Sequence, residues 1–255
     1  DLAGAPAKPA QEGPGVWVTA EGDGYWVENQ RYRIFLGPWG AHLFEWWVKA
    51  LGNVEITEPG RSGWAGFADS GWPDRDSYFE LTLEASGPVL ARIRATSAAA
   101  GNEKVFTFYA DQPFVEVMMA RPVSFYWDYD NVDNFAADKG NPGTALFANG
   151  HSEPICRSNE TIHNVAAGVT WGAKVRADGF VLANITPEVP ATHMAGPGGG
   201  WGGVGIENSP PAGHFVTYAD LVSDDPATVL NTVQRTLDLR NLPKVFIGPP
   251  QQRQL

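Results

Sequence analysis

The side chains of this sequence best suited to chemistry gather between positions 121 and 213. The run Tyr126-Trp127-Asp128-Tyr129-Asp130 is followed by His151, Arg157 and His163, and His193 precedes the glycine-rich run at 196–203. Removing a proton next to a carboxylate needs a base such as His or Tyr, and a cation to steady the enolate that forms. His151, His193 and Tyr129, with Asp130, are therefore the candidate acid/base groups. Arg157 is the candidate for holding a substrate carboxylate, because its planar fork pairs with both oxygens. Trp127 and Trp201 offer flat apolar faces on which a sugar ring can stack. Trp201 would ride on a mobile flap, and a plain glycine-rich connection is the competing reading of the same residues.

Asp128, Asp130 and Asp133 put three carboxylates into one short stretch. Ca2+ takes several oxygen ligands from a flexible loop, which these acids could supply. The Gly and the bidentate Glu of an EF-hand loop are missing, so a solvated acidic loop is the plainer reading, and no cofactor is otherwise indicated. The same acids fit a glycosidase pair only if their carboxyl groups stand about 5–9 Å apart. His42 and His214 fall on strand-like runs, where a lone His is more often a satisfied core or edge residue than a catalyst. No Gly-x-Ser-x-Gly elbow, HExxH, CxxC or P-loop occurs. Asn159-Glu160-Thr161 and Asn184-Ile185-Thr186 match the N-glycosylation pattern, which matters only in a source that glycosylates exported proteins.

The elements that must position these groups read as strands. In Tyr78–Glu84, Phe79, Leu81 and Leu83 share one face, and after the Ser86-Gly87 turn Val89, Ala91, Ile93 and Ala95 share another. The expected hairpin pairs Leu83 with Val89, Leu81 with Ala91 and Phe79 with Ile93, with Glu80 facing Arg92 on the wet side. Similar runs cover 25–36, 42–49, 104–109, 114–119, 165–176, 179–185, 204–207 and 214–221, with turn residues between them. Asp225-Pro226 followed by Val229, Leu230 and Val233 fits a capped helix start, read as a short helix or turn entering a final strand. The expected fold is all-β, a twisted antiparallel supersandwich-like β-sandwich with long irregular loops at 57–77, 121–163 and 187–213. Residues 1–15 read as an Ala/Pro/Gly-rich linker and 16–255 as one domain.

Composition narrows the partners. The 255 residues carry 18 Lys+Arg against 29 Asp+Glu, a net charge of −11. An acidic surface with no basic cluster repels phosphates and anionic lipid, so neither nucleic acid nor membrane is an expected partner. Cys156 is the sole cysteine, which leaves no internal disulfide. The opening DLAGAPAKPAQEGPG suggests an exported protein, secreted or periplasmic.

The segment 24–49 (GYWVENQRYRIFLGPWGAHLFEWWVK) sets two antiparallel strands, a bend, and a His with inward aromatics against a polar edge. In this it resembles the galactose-mutarotase-like supersandwich of sugar epimerases and of domains in polysaccharide lyases and glycoside hydrolases. The resemblance covers the first half of the chain. It implies a large concave sheet that binds sugars, with catalysis from that sheet and its rim loops. The epimerases' His/Glu signature is not found here. The function this suggests is an extracellular carbohydrate-active enzyme, a polysaccharide lyase or glycoside hydrolase acting on a carbohydrate substrate. A non-catalytic carbohydrate-binding module and an epimerase-like or assembly protein are the alternatives.

Overall fold

The structure, a computed structural model, describes residues 14–57, 64–67, 74, 77–121, 124–126, 143–155, 164–196, 203–207 and 213–240. The chain begins with a meander of β1 (Trp17–Glu21), β2 (Gly24–Glu28), β3 (Tyr32–Gly37), β4 (His42–Val48) and β5 (Val54–Glu55), which pair in that order as a first sheet. A nine-stranded central sheet follows. It uses β7 (Glu80–Ser86), β8 (Leu90–Ser97), β9 (Asn102–Tyr109), β10 (Phe114–Met119), β12 (Thr144–Phe147), β13 (Ser152–Pro154), β15 (Trp171–Val175), β16 (Phe180–Ile185) and β19 (His214–Leu221), in the order β13-β12-β15-β16-β19-β10-β9-β8-β7. A third sheet joins β14 (Asn164–Val169), β17 (Ala191–Gly196), β18 (Gly203–Glu207), β11 (Ser124–Tyr126) and β6 (Trp64–Phe67). The all-β, antiparallel, sandwich-like architecture agrees with the sequence.

One core cluster unites all three sheets. Val27, Ile34 and Trp46 of the first sheet, Ile93, Phe108 and Val115 of the central sheet, and Ala195, Val204 and Ile206 of the third belong to it. The first and third sheets thus pack on the same face of the central sheet. Its other face is covered in part by helix α1 (Pro226–Arg240), whose Val229 and Val233 are fully buried among Leu146, Trp171, Val181 and Val216. Burying a side chain of this size contributes roughly 1.5–3 kcal/mol.

This double cover explains the sequence pattern. Strands β15 and β16 lie between a sheet and a helix and are buried at every position, so small and apolar residues fill both of their faces, broken only by Lys174 and Asn184. Strand β8, covered on one face, alternates: Ala91, Ile93 and Ala95 are buried while Arg92 and Thr96 are exposed.

Several expectations need correction. The first hairpin pairs Leu81 with Ala95 and Leu83 with Ile93, and an irregularity between Leu83 and Ala85 then shifts the register by one. The longer turn closes through Gly87 N–H to Leu90 O, which leaves Val89 70% exposed instead of opposite Leu83. Thr82, not Glu80, is opposite an arginine, and Arg94 bridges Glu84 and Glu103 on the wet side. The helix runs to Arg240, so no final strand forms there; Asp225 accepts from Thr228 N–H at 2.9 Å and from the Thr228 hydroxyl at 2.7 Å. The three stretches read as irregular loops supply β6, β11 and β17 to the third sheet, while the run read as a strand at 204–207 forms β18. At 4 and 3 residues, β6 and β11 are too short to show a period.

Candidate interaction surface and ionic clusters

The sequence-derived candidates separate. His151 stands in the β12–β13 turn, its side chain 54% exposed, 3.6 Å from Glu153 Oε1 and stacked on Phe147 at 6.3 Å between ring centroids. His193 is on β17, fully excluded from solvent, with Nε2 3.1 Å from Thr186 Oγ1. Burial pushes its pKa down to about 3, so the ring is neutral at ordinary pH. The placement of His193 in a rim loop is thereby corrected: it faces the layer between two sheets, whereas His151 faces solvent. Trp127, Tyr129, Arg157 and Trp201, and the acids Asp128, Asp130 and Asp133, lie outside the described residues, as does His163. Among the described residues no group of three or more His, Cys, Asp or Glu is arranged to hold a metal ion. Also among them, no helix is long and apolar enough to cross a membrane.

Two ionic clusters escaped the sequence reading. On β10 and β19, His214 places Nε2 2.8 Å from Glu116 Oε1 and Nδ1 2.5 Å from Glu188 Oε1, while the Tyr109 hydroxyl donates to Glu116 Oε2 at 2.5 Å. The His214 side chain is only 6% exposed. Its ring is bracketed by two carboxylates, so the cluster satisfies itself. The only sequence signal was Glu116 interrupting the apolar run of β10. The second cluster centres on Lys104, which donates to Gly40 O at 2.7 Å and lies 3.3 Å from Asp74 Oδ2. Asn102 and Arg121 also donate to Asp74, at 2.8 and 3.1 Å. These bonds tie the β3–β4 turn and Asp74 to the central sheet.

The outward face of the first sheet carries a different chemistry. Val27, Ile34, Trp46 and Val48 point into the core, and by strand alternation Trp26, Arg33, Phe35 and Trp47 point away from it. A register shift after Phe35 brings Phe44 to the same outward side as Glu45. The rings run across the strands: Trp26 to Phe35 at 5.1 Å, Phe35 to Phe44 at 6.5 Å, and Phe44 to His42 at 5.8 Å. The Arg33 guanidinium lies 4.0 Å over Trp26.

Glycine makes this close approach feasible. A Cβ on Gly24 would fall 2.4 Å from the Phe35 ring, and one on Gly37 2.4 Å from the Phe44 ring. At the turn end, Trp39 and Tyr78 meet edge to face at 5.5 Å and are 54% and 44% exposed. At the opposite side, Glu45 accepts from Trp47 Nε1 at 3.1 Å, and burial followed by the Glu45 charge pushes the Glu55 carboxyl up. The surface is an aromatic ribbon beside acidic groups. It missed recognition in the sequence because its rings were read as inward.

No protein-family model matches the chain, and no curated protein matches it. Among solved structures it is similar to the periplasmic domain of Thermotoga maritima YidC, at 9% identity and a TM-score of 0.49, covering 87% of this chain and 98% of that one. It is also similar to YidC from Thermotoga maritima, at 11% identity and a TM-score of 0.48, covering 89% of this chain and 56% of that one. HI1317 follows at 9% identity and a TM-score of 0.43, covering 82% and 99%. At these values the likenesses assign the chain neither a family nor an activity.

The neighbours whose descriptions state what they are, the YidC structures, are not sugar epimerases or polysaccharide-degrading enzymes, and the resemblance to the galactose-mutarotase-like supersandwich is corrected accordingly. With it go the lyase or glycoside hydrolase, the carbohydrate-active description and the carbohydrate partner. The physical fault lies in 24–49, whose aromatics divide between the core and an outward face of a separate small sheet rather than lining one concave sheet.

Proposed function

We propose that this chain is a binding domain that docks an extended polypeptide segment, basic and apolar in character, on the outward face of β1–β5. The observation that carries this is the aromatic ribbon of Trp26, Phe35 and Phe44 laid over glycine, close to the exposed Trp39–Tyr78 pair. Rigid aromatic side chains give large contact area at small cost in conformational freedom, which is why they anchor protein interfaces. Glu21 and Asp23 at the turn end, Glu45 and Glu55 at the far strands, and a net charge of −11 steer a basic segment toward this face and disfavour an acidic one. The ionic clusters support binding over catalysis, because their groups are spent on one another inside the fold. An extracytoplasmic location belongs to this reading, and fractionation of the source cells tests it.

An array of short random peptides tests the docking. Retained peptides should be enriched in Lys or Arg next to aromatic or aliphatic residues, and retention should weaken with salt. The double variant Trp39→Ser, Tyr78→Ser, with its fold checked by circular dichroism, should lose at least about tenfold in affinity, or ~1.4 kcal/mol. Retention without sequence preference, or unchanged in the variant, would overturn the proposal.

A further inference from the structure

Two buried polar atoms that have no hydrogen-bond partner among the described residues, His193 Nδ1 and Asn184 Oδ1, face the layer between the central and third sheets. Both residues are fully excluded from solvent. They are also neighbours. Asn184 is the ladder partner of Gly172, and a Cβ on Gly172 would meet His193 Cβ at 2.7 Å, so His193 packs directly over the residue beside Asn184.

Proton bookkeeping identifies what each atom needs. The Thr186 hydroxyl has one hydrogen, and it donates to Thr170 O at 3.3 Å. Thr186 Oγ1 therefore accepts from His193, which puts the ring hydrogen on Nε2 and leaves Nδ1 a bare acceptor. Asn184 spends an amide hydrogen on Val204 O at 3.2 Å, across to β18, and its Oδ1 can only accept. Two acceptors thus face the same layer, and the neutral ring cannot serve as donor to the amide oxygen. Buried polar groups in such places are met by ordered water, which brings two hydrogens in a body small enough to lie between packed sheets.

We propose that one water molecule is bound between β16 and β17, donating its hydrogens to His193 Nδ1 and Asn184 Oδ1. It completes the seam by which Thr186, His193, Asn184 and Val204 join the third sheet to the central one. Both of its partners are excluded from solvent, so the exchange of this water reports separation of the two sheets.

Solution NMR of the intact chain tests this at neutral pH. Nitrogen shifts should show His193 protonated at Nε2 alone, and its ring protons should give cross-peaks to a long-lived water. Asn184→Leu should abolish those cross-peaks. A ring protonated at Nδ1, or no long-lived water at the ring, overturns the proposal. Both decisive readings come from the unsubstituted protein, so they stand even if the variant fails to fold.

Discussion

Lys104 and Asp74 form an ion pair at 3.3 Å with both side chains wholly excluded from solvent. Burial pushes the lysine pKa down to about 8, and the Asp74 carboxylate opposes that shift. The Phe79 ring lies 4.8 Å from the ammonium. Such a pair specifies an arrangement more than it stabilises one, since desolvation offsets much of the attraction.

Without Lys104, Asp74 keeps Arg121 and Asn102, whereas without Asp74 the buried Lys104 has no counter-ion among the described residues. Asp74→Asn should therefore destabilise the protein by about 3–5 kcal/mol. Lys104→Met with Asp74→Asn should recover a large part of that loss, because the uncompensated charge is gone. Urea denaturation of the two variants checks this; a double variant no more stable than the single one would refute it.

Acid should weaken the fold through His193. Its pKa is about 3 in the folded chain against the ordinary 6.5, so between those values the unfolded chain binds one more proton than the folded one. Stability is therefore fully present above pH 6.5 and falls as pH drops toward 3, by up to about 1.4 kcal/mol per pH unit from this residue. His193→Gln should flatten the dependence by one proton in denaturation measured across that range.

The aromatic ribbon should be sensitive to its floor. Gly37→Ala places a Cβ against the Phe44 ring at 2.4 Å and should displace it, at a cost of about 1–3 kcal/mol in stability. The near-ultraviolet dichroism of the aromatics should change with it. Gly52→Ala, which meets nothing within 4 Å but sits at φ +80, should leave the aromatic signal intact while carrying a backbone penalty.

Asp225→Ala should fray the start of α1, since it removes the acceptor for Thr228 N–H. The same bonds hold the Asp225 carboxyl below its ordinary range, so the cap is present above that range and is lost as acid protonates it. Amide hydrogen exchange at Thr228 and Val229 on either side of pH 4 reads the effect directly.

How much of this was legible depended on what covered each strand. β8 has one covered face, so Ala91, Ile93 and Ala95 stood out by alternation, and the Asp225-Pro226 cap announced α1. β17 could not be read, because a strand of Ala191, His193, Met194 and Ala195 buried almost throughout has no wet face to mark its period. Register failed at Leu83 for a related reason. An irregularity there costs little at a sheet edge, and nothing in the residue types required it. The ion pairs were invisible because Lys104 and Asp74 meet only through tertiary packing, and single histidines in a sequence do not disclose which carboxylates will bracket them.

The division between a meander and a sheet assembled from scattered segments also sets an order of events. β1 to β4 pair with sequence neighbours, so the first sheet closes only short loops and can form early. The third sheet must bring β6, β11 and β18 together from far apart along the chain, and each such closure loses more entropy before contact repays it. Pulse-labelled hydrogen exchange during refolding should accordingly protect the amides of Val27 and Ile34 ahead of those of Phe125 and Ile206. On that schedule the layer around His193 is the last part of the interior to be shut.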